Sequence, residues 1–93
     1  MLLGHGTYFS TNPGSHSHLH TAPNDQDQSR VLYYNKVLLG RIYEMNKLDR
    51  ELQSAPVNFH SVHGTHPGRP DDDEYVIYWY GQALPYIKII YKA

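Results

Sequence analysis

The side chains able to do chemistry in this 93-residue chain are seven histidines, nine acidic residues and nine tyrosines, and there is no cysteine. The lack of thiols excludes cysteine nucleophiles, disulfide staples and thiolate zinc sites. His16, His18 and His20 alternate, a spacing that in a strand puts three imidazoles on one face and would suit a divalent metal. The same tract has the composition of a polar loop. Asp71, Asp72 and Asp73 run into Glu74, and an acidic run is ordinarily a solvated turn. Ser61 has no Asp-His relay assignable around it, so it does not read as a nucleophile. His60, His63 and His66 read as structural or exposed groups.

Elements must position these groups, and composition limits what those elements can build. A chain of this length makes one small domain or a piece of a larger one. Eight basic against nine acidic side chains leave a net charge of -1. That balance supplies no long-range field to gather nucleic acid or an anionic membrane. The start, MLLGHGTYF, has neither a basic n-region nor an apolar run long enough for a signal peptide or a membrane span. A nuclear or cytosolic protein is expected.

Gly6 to Phe9 reads as a short strand, and Ser10 to Ser29 as a long polar loop with one helical turn near Ser15 to His20. Val31 to Tyr43 is rich in Val, Ile, Leu and Tyr and reads as one long strand bulged at Gly40. Met45 to Gln53 has good helix formers with Leu48 and Leu52 four apart, which predicts a short helix stopped by Ala55-Pro56. Residues 57–63 read as extended, and Gly64 to Asp73 as a polar turn. EYVIYWY and YIKIIYKA, separated by GQALP, predict two strands joined by a short turn. Tyr75 to Tyr80 carries aromatic or β-branched residues on both faces, the pattern of a strand covered on each side. Few residues remain for helices, so part of the packing partner is expected outside these 93 residues.

Four segments, GHGTYFS, KVLLGR, HSVHG and EYVIYWYGQALPYIKIIY, resemble in type and order the catalytic domain of the poly(ADP-ribose) polymerases, and the tankyrase branch most closely. The family patterns are Gly-x-Gly-x-Tyr-Phe, a basic residue then Val-x-x-Gly, His-Ser-Val-x-Gly, and Glu-Tyr-Val-Ile-Tyr followed closely by Gln-Ala-x-Pro. Together the segments span nearly the whole chain. The resemblance implies an α+β fold with mainly antiparallel sheets, the ADP-ribosyltransferase fold, of which residues 1–93 would be a part lacking the N-terminal portion. It also implies NAD as substrate, cleaved between nicotinamide and ribose with oxocarbenium character, so that nearby negative charge stabilises the transition state.

On this resemblance Glu74 takes the position of the family's catalytic glutamate, bonding a ribose hydroxyl and orienting or activating the acceptor. Tyr8 takes that of the tyrosine lining the nicotinamide pocket. With one inserted residue Ser17 replaces the serine that bonds the nicotinamide amide, and His20 the tyrosine that stacks on its ring. Without the insertion His16 and Leu19 fall there. Tankyrases bind zinc near this place through cysteines that this chain lacks, so no metal site is implied. Ser61 resembles a scaffold residue of the family.

The family's first triad member is a histidine followed by glycine, upstream of the Gly-x-Gly-x-Tyr-Phe segment. Only five residues precede Gly6, and His5 lies inside that segment. An incomplete donor site is therefore expected, and the 93 residues by themselves are not expected to bind NAD tightly or turn it over. The implied function is NAD-dependent transfer of ADP-ribose to protein side chains or to growing ADP-ribose. Retention of the glutamate favours chain elongation. The alternative is a catalytically inactive remnant acting as a protein-interaction module. Implied partners are NAD and protein acceptors, with no membrane and no direct nucleic-acid binding.

Overall fold

The computed structural model describes residues 3–11, 26–66 and 69–92, the side chains of 66 and 69–72 excepted. Six strands follow in chain order: β1 Thr7–Phe9, β2 Ser29–Val37, β3 Ile42–Glu44, β4 Ser61–His66, β5 Arg69–Ile77 and β6 Ala83–Lys92. A single 3-10 turn, Tyr80–Gln82, joins β5 to β6. One sheet has the order β1-β5-β4-β3, and β2 and β6 form a separate two-stranded ribbon. All pairings are antiparallel except β3 with β4.

Among the described residues the fold is almost all β, which corrects the α+β expectation. The helix predicted over Met45 to Gln53 does not form; the stretch is irregular with a turn at Arg50 and Glu51. Its backbone is engaged elsewhere: the Met45 N–H donates to the His63 carbonyl at 2.9 Å, and the Leu52 carbonyl accepts from the His5 N–H at 2.7 Å. The Asp49 carboxylate accepts the Glu51 N–H at 3.0 Å, a local turn that competes with helix. Nine residues also offer too few helical bonds to offset the cost of nucleation.

The single strand expected from Val31 to Tyr43 is two strands in different sheets. Gly40, at φ +57°, makes the corner, and a Cβ there would lie 2.5 Å from the His60 ring. Gly64 to Asp73, expected as a turn, is largely strand, because Gly64 pairs with Glu74 and Thr65 with Asp73. The last two strands are not partners of each other. The Gln82 side-chain amide donates to the Leu38 and His60 carbonyls at 2.8 and 3.0 Å, which turns β6 away from β5 to pair with β2 from Val37↔Ala83 to Ser29↔Lys92.

The core is small. Leu3, Val62 and Val76 form it on one face of the four-stranded sheet, with Tyr8, Met45, Leu52, Ala55 and Tyr78 packed around them. Ile77 is buried on the other face, so at Val76 and Ile77 both faces are covered as the pattern predicts. Each such buried side chain contributes about 1.5–3 kcal/mol. Trp79 and Tyr80, by contrast, are exposed. Ser15 to His20, where a helical turn was expected, lies outside the described residues.

Candidate functional site

β1 and β5 are neighbours, with Tyr8 opposite Val76. Directly opposed residues share a face and residues two apart on a strand share a face, so Tyr8 and Glu74 lie on the same side of the sheet as diagonal neighbours. Such neighbours stand roughly 7–8 Å apart at Cα, within reach of long side chains. Burial raises the Tyr8 hydroxyl above its ordinary range; a backbone hydrogen bond from Leu3 opposes this, and the Glu74 charge adds to it. Glu74 is half-buried in mid-strand, which corrects the expectation that it begins a strand, since β5 already starts at Arg69.

The Tyr8 hydroxyl is engaged locally, donating to the Gly4 carbonyl at 2.7 Å and accepting the Leu3 N–H at 2.9 Å. Tyr78 donates to the Leu3 carbonyl at 2.6 Å. Two tyrosines thus hold the N-terminal turn onto the core. Burial, with smaller effects from Tyr8 and Asp49, pushes the Tyr78 hydroxyl up from 10.0 to about 12. A group that holds its proton more tightly folded than unfolded contributes stability in full below the unfolded value and loses it as pH rises through the folded value. Stability should therefore decline between about pH 10 and pH 12. In Tyr78→Phe the denaturation midpoint should be lower at neutral pH, by about 1 kcal/mol for one hydrogen bond, and its alkaline decline shallower. An identical alkaline profile in both proteins would count against this assignment.

A second cluster joins three of the motif segments. The Arg41 N–H donates to His60 Nδ1 at 2.8 Å, and the Ser61 hydroxyl donates to the Leu39 carbonyl at 2.8 Å. Ser61 is fully buried. KVLLGR, HSVHG and the glutamine of GQALP are thus bound into one corner, and His60 and Ser61 there support the backbone. His63 is different. Its Nδ1 lies 2.5 Å from Glu44 Oε2, its Nε2 lies 3.3 Å from Asp73 Oδ1, and its ring stacks on Tyr75 with centroids 4.4 Å apart. The sequence reading missed this cluster, since its partners come from three strands.

A cleft of about 640 Å³ lies between the four-stranded sheet and the ribbon, bordered by Tyr8, Phe9, Tyr75, Val31, Tyr33 and Tyr34 among others. Glu74 is not among its lining residues. Ser17 and His20, and the alternating His16 and His18, lie outside the described residues. Among the described residues no group of three or more His, Asp or Glu side chains is placed to hold a metal ion. None of the helical structure there is long and apolar enough to cross a membrane.

No family model matches the chain. It is nevertheless similar in sequence to proteins of the ADP-ribosyltransferase class. Human protein mono-ADP-ribosyltransferase PARP4 is 35% identical over 81 residues, which is 82% of this chain, and the mouse protein of that name is 37% identical over 81 residues. The chain spans about 5% of the human protein's length and 4% of the mouse protein's.

Proposed function

We propose that these residues are part of an ADP-ribosyltransferase catalytic domain, which transfers ADP-ribose from NAD to protein side chains or growing ADP-ribose and releases nicotinamide. The observation that carries this reading is the register setting Tyr8 and Glu74 on one face of adjacent strands. The similarity to PARP4 supports it independently. The bonding pair between ribose and nicotinamide leaves with nicotinamide, the ribose gains oxocarbenium character, and an acceptor oxygen closes on that carbon as its proton passes to a base. Glu74 bonds a ribose hydroxyl and opposes the developing positive charge. Tyr8 shapes the nicotinamide pocket, to which Ser17 and His20 contribute a hydrogen bond and a stacking ring. The matched relatives are named mono-ADP-ribosyltransferases, so the reading is not tied to the tankyrase branch and includes single transfer beside the elongation that the glutamate suggests.

Incubating the product of the full reading frame with labelled NAD tests this. Label on protein with matching nicotinamide release is expected, and neither label nor release would sink the reading. Calorimetric titration of the 93-residue chain alone should show no tight NAD binding, because a cofactor needs contacts along its whole length and Glu74 does not line the cleft that Tyr8 borders. Micromolar binding with sustained release would overturn that expectation.

A second reading, an inactive module that binds protein, draws on the exposed apolar side chains of the ribbon. Leu84 and Ile90 are each 63% exposed and Tyr33 is 52% exposed, and exposed apolar side chains gathered on one element can mark a protein-interaction site. The labelled-NAD assay separates the two, since only the enzyme releases nicotinamide.

A further inference from the structure

We infer that His63 is a positioning residue: it ties β3 to β5 through Glu44 and Asp73 and so holds the backbone that carries Glu74. This rests on the transferase reading above for its catalytic consequence, but not for its structural one.

The register brings the parts together. Glu44 stands opposite His63 across the parallel β3–β4 pair, and Tyr75 stands opposite His63 across the antiparallel β4–β5 pair. One residue on, Gly64 pairs with Glu74. His63 and Glu74 therefore project from opposite faces of the sheet at adjacent register positions, and the histidine acts on the glutamate through the shared backbone. Asp73, one bond before Glu74, is held at 3.3 Å from His63 Nε2. That contact is close enough for charge pairing yet off axis for a hydrogen bond, since Nε2 is buried without a hydrogen-bond partner.

Both ring nitrogens face carboxylate oxygens. The groups facing the ring are Glu44 from β3 and Asp73 and Tyr75 from β5. The Glu44 carboxylate is largely and the Asp73 carboxylate partly open to water, at 69% and 42% exposure, and such exposed pairs contribute little to stability. What the cluster supplies is geometry. A misplacement of about 1 Å at a catalytic group can cost roughly 100-fold in rate.

The test has two arms. In the first, amide hydrogen exchange is compared between the 93-residue chain and its His63→Ala and His63→Gln variants. Exchange at Asp73, Glu74 and Tyr75 should accelerate about 10-fold in His63→Ala while Val62 and Val76 stay protected. Glutamine, which can donate to one carboxylate, should restore part of the protection. Uniform acceleration at every amide would mean a general loss of stability and would overturn the proposal, as would no change at all. In the second arm, His63→Ala in the full reading frame should lower kcat about 10-fold or more with little change in the KM for NAD. Should the parent show no transferase activity, the functional reading fails and the exchange arm still decides whether His63 holds the strand. An active parent with unchanged kcat in His63→Ala overturns the positioning role alone.

Discussion

Replacing Glu74 with glutamine in the product of the full reading frame should lower ADP-ribosyl transfer by about 100-fold or more while leaving NAD binding intact. Glutamine keeps the size of the side chain and a hydrogen-bond acceptor for a ribose hydroxyl. It removes the negative charge that opposes the oxocarbenium ion, and a group stabilising charge that appears only in the transition state typically contributes about 100-fold or more. The loss should fall on kcat, with KM nearly unchanged. Glu74 lies on the face it shares with Tyr8, which permits a check without turnover. Burial is the main reason the Tyr8 hydroxyl is raised, but the Glu74 charge adds to it, so Tyr8 in Glu74→Gln should titrate at lower pH. Unchanged transferase rate would remove Glu74 from the mechanism. An unshifted Tyr8 would remove the proximity on which its assignment depends.

The second large effect is on stability. Gly4 sits at φ +88°, and a Cβ there would overlap the Leu52 carbonyl oxygen and side chain. That carbonyl is the acceptor for the His5 N–H at 2.7 Å, while the Gly4 carbonyl accepts the Tyr8 hydroxyl at 2.7 Å. Alanine would add left-handed backbone strain of about 1–2 kcal/mol and force apart two backbones that cannot rotate away as a side chain would. Gly4→Ala should therefore cost about 3 kcal/mol or more, the range of a named steric and hydrogen-bond lesion. A chain of this size has roughly 5–10 kcal/mol to lose. Urea denaturation of the 93-residue chain measures it. A midpoint shift equivalent to less than about 1 kcal/mol would show that the N-terminal turn is not held as described. Because the turn also fixes Leu3 on Val62 and Val76, loss of near-ultraviolet signal from Tyr8 and Tyr78 should accompany the shift.

Several features of this molecule were legible one segment at a time. The short strand ending at Phe9, the apolar strand through Val76 and the closing strand from Tyr86 follow from local β-branched and aromatic patterns between turn formers, although β6 already begins at Ala83, inside the expected turn. Ser61 was legible as a scaffold residue, and the structure has it buried and bonded to Leu39. Local pattern failed where backbone groups found distant partners. Met45 to Gln53 has helix formers, yet its carbonyls and amides pair with His5 and His63, and pairing of that kind outweighs a propensity worth fractions of a kcal/mol per residue. The break at Gly40 likewise depends on the His60 ring close behind it. Ser17 and His20, assigned by motif spacing, remain proposals outside the described residues.

The amino-acid sequence by itself determined the cores of most β segments, which groups could do chemistry, and the motif order that resembles an ADP-ribosyltransferase. Tertiary structure alone decided which strands are neighbours and hence which side chains meet. Tyr78 reaches Leu3 across 75 positions of sequence, and His63 meets Glu44 across 19. Side chains alternate with a period of two along a strand, so a slip of one residue in register would send Glu74 to the face opposite Tyr8. That register is set by burying Val62 and Val76 together under Leu3, a long-range packing choice that no local window of sequence contains.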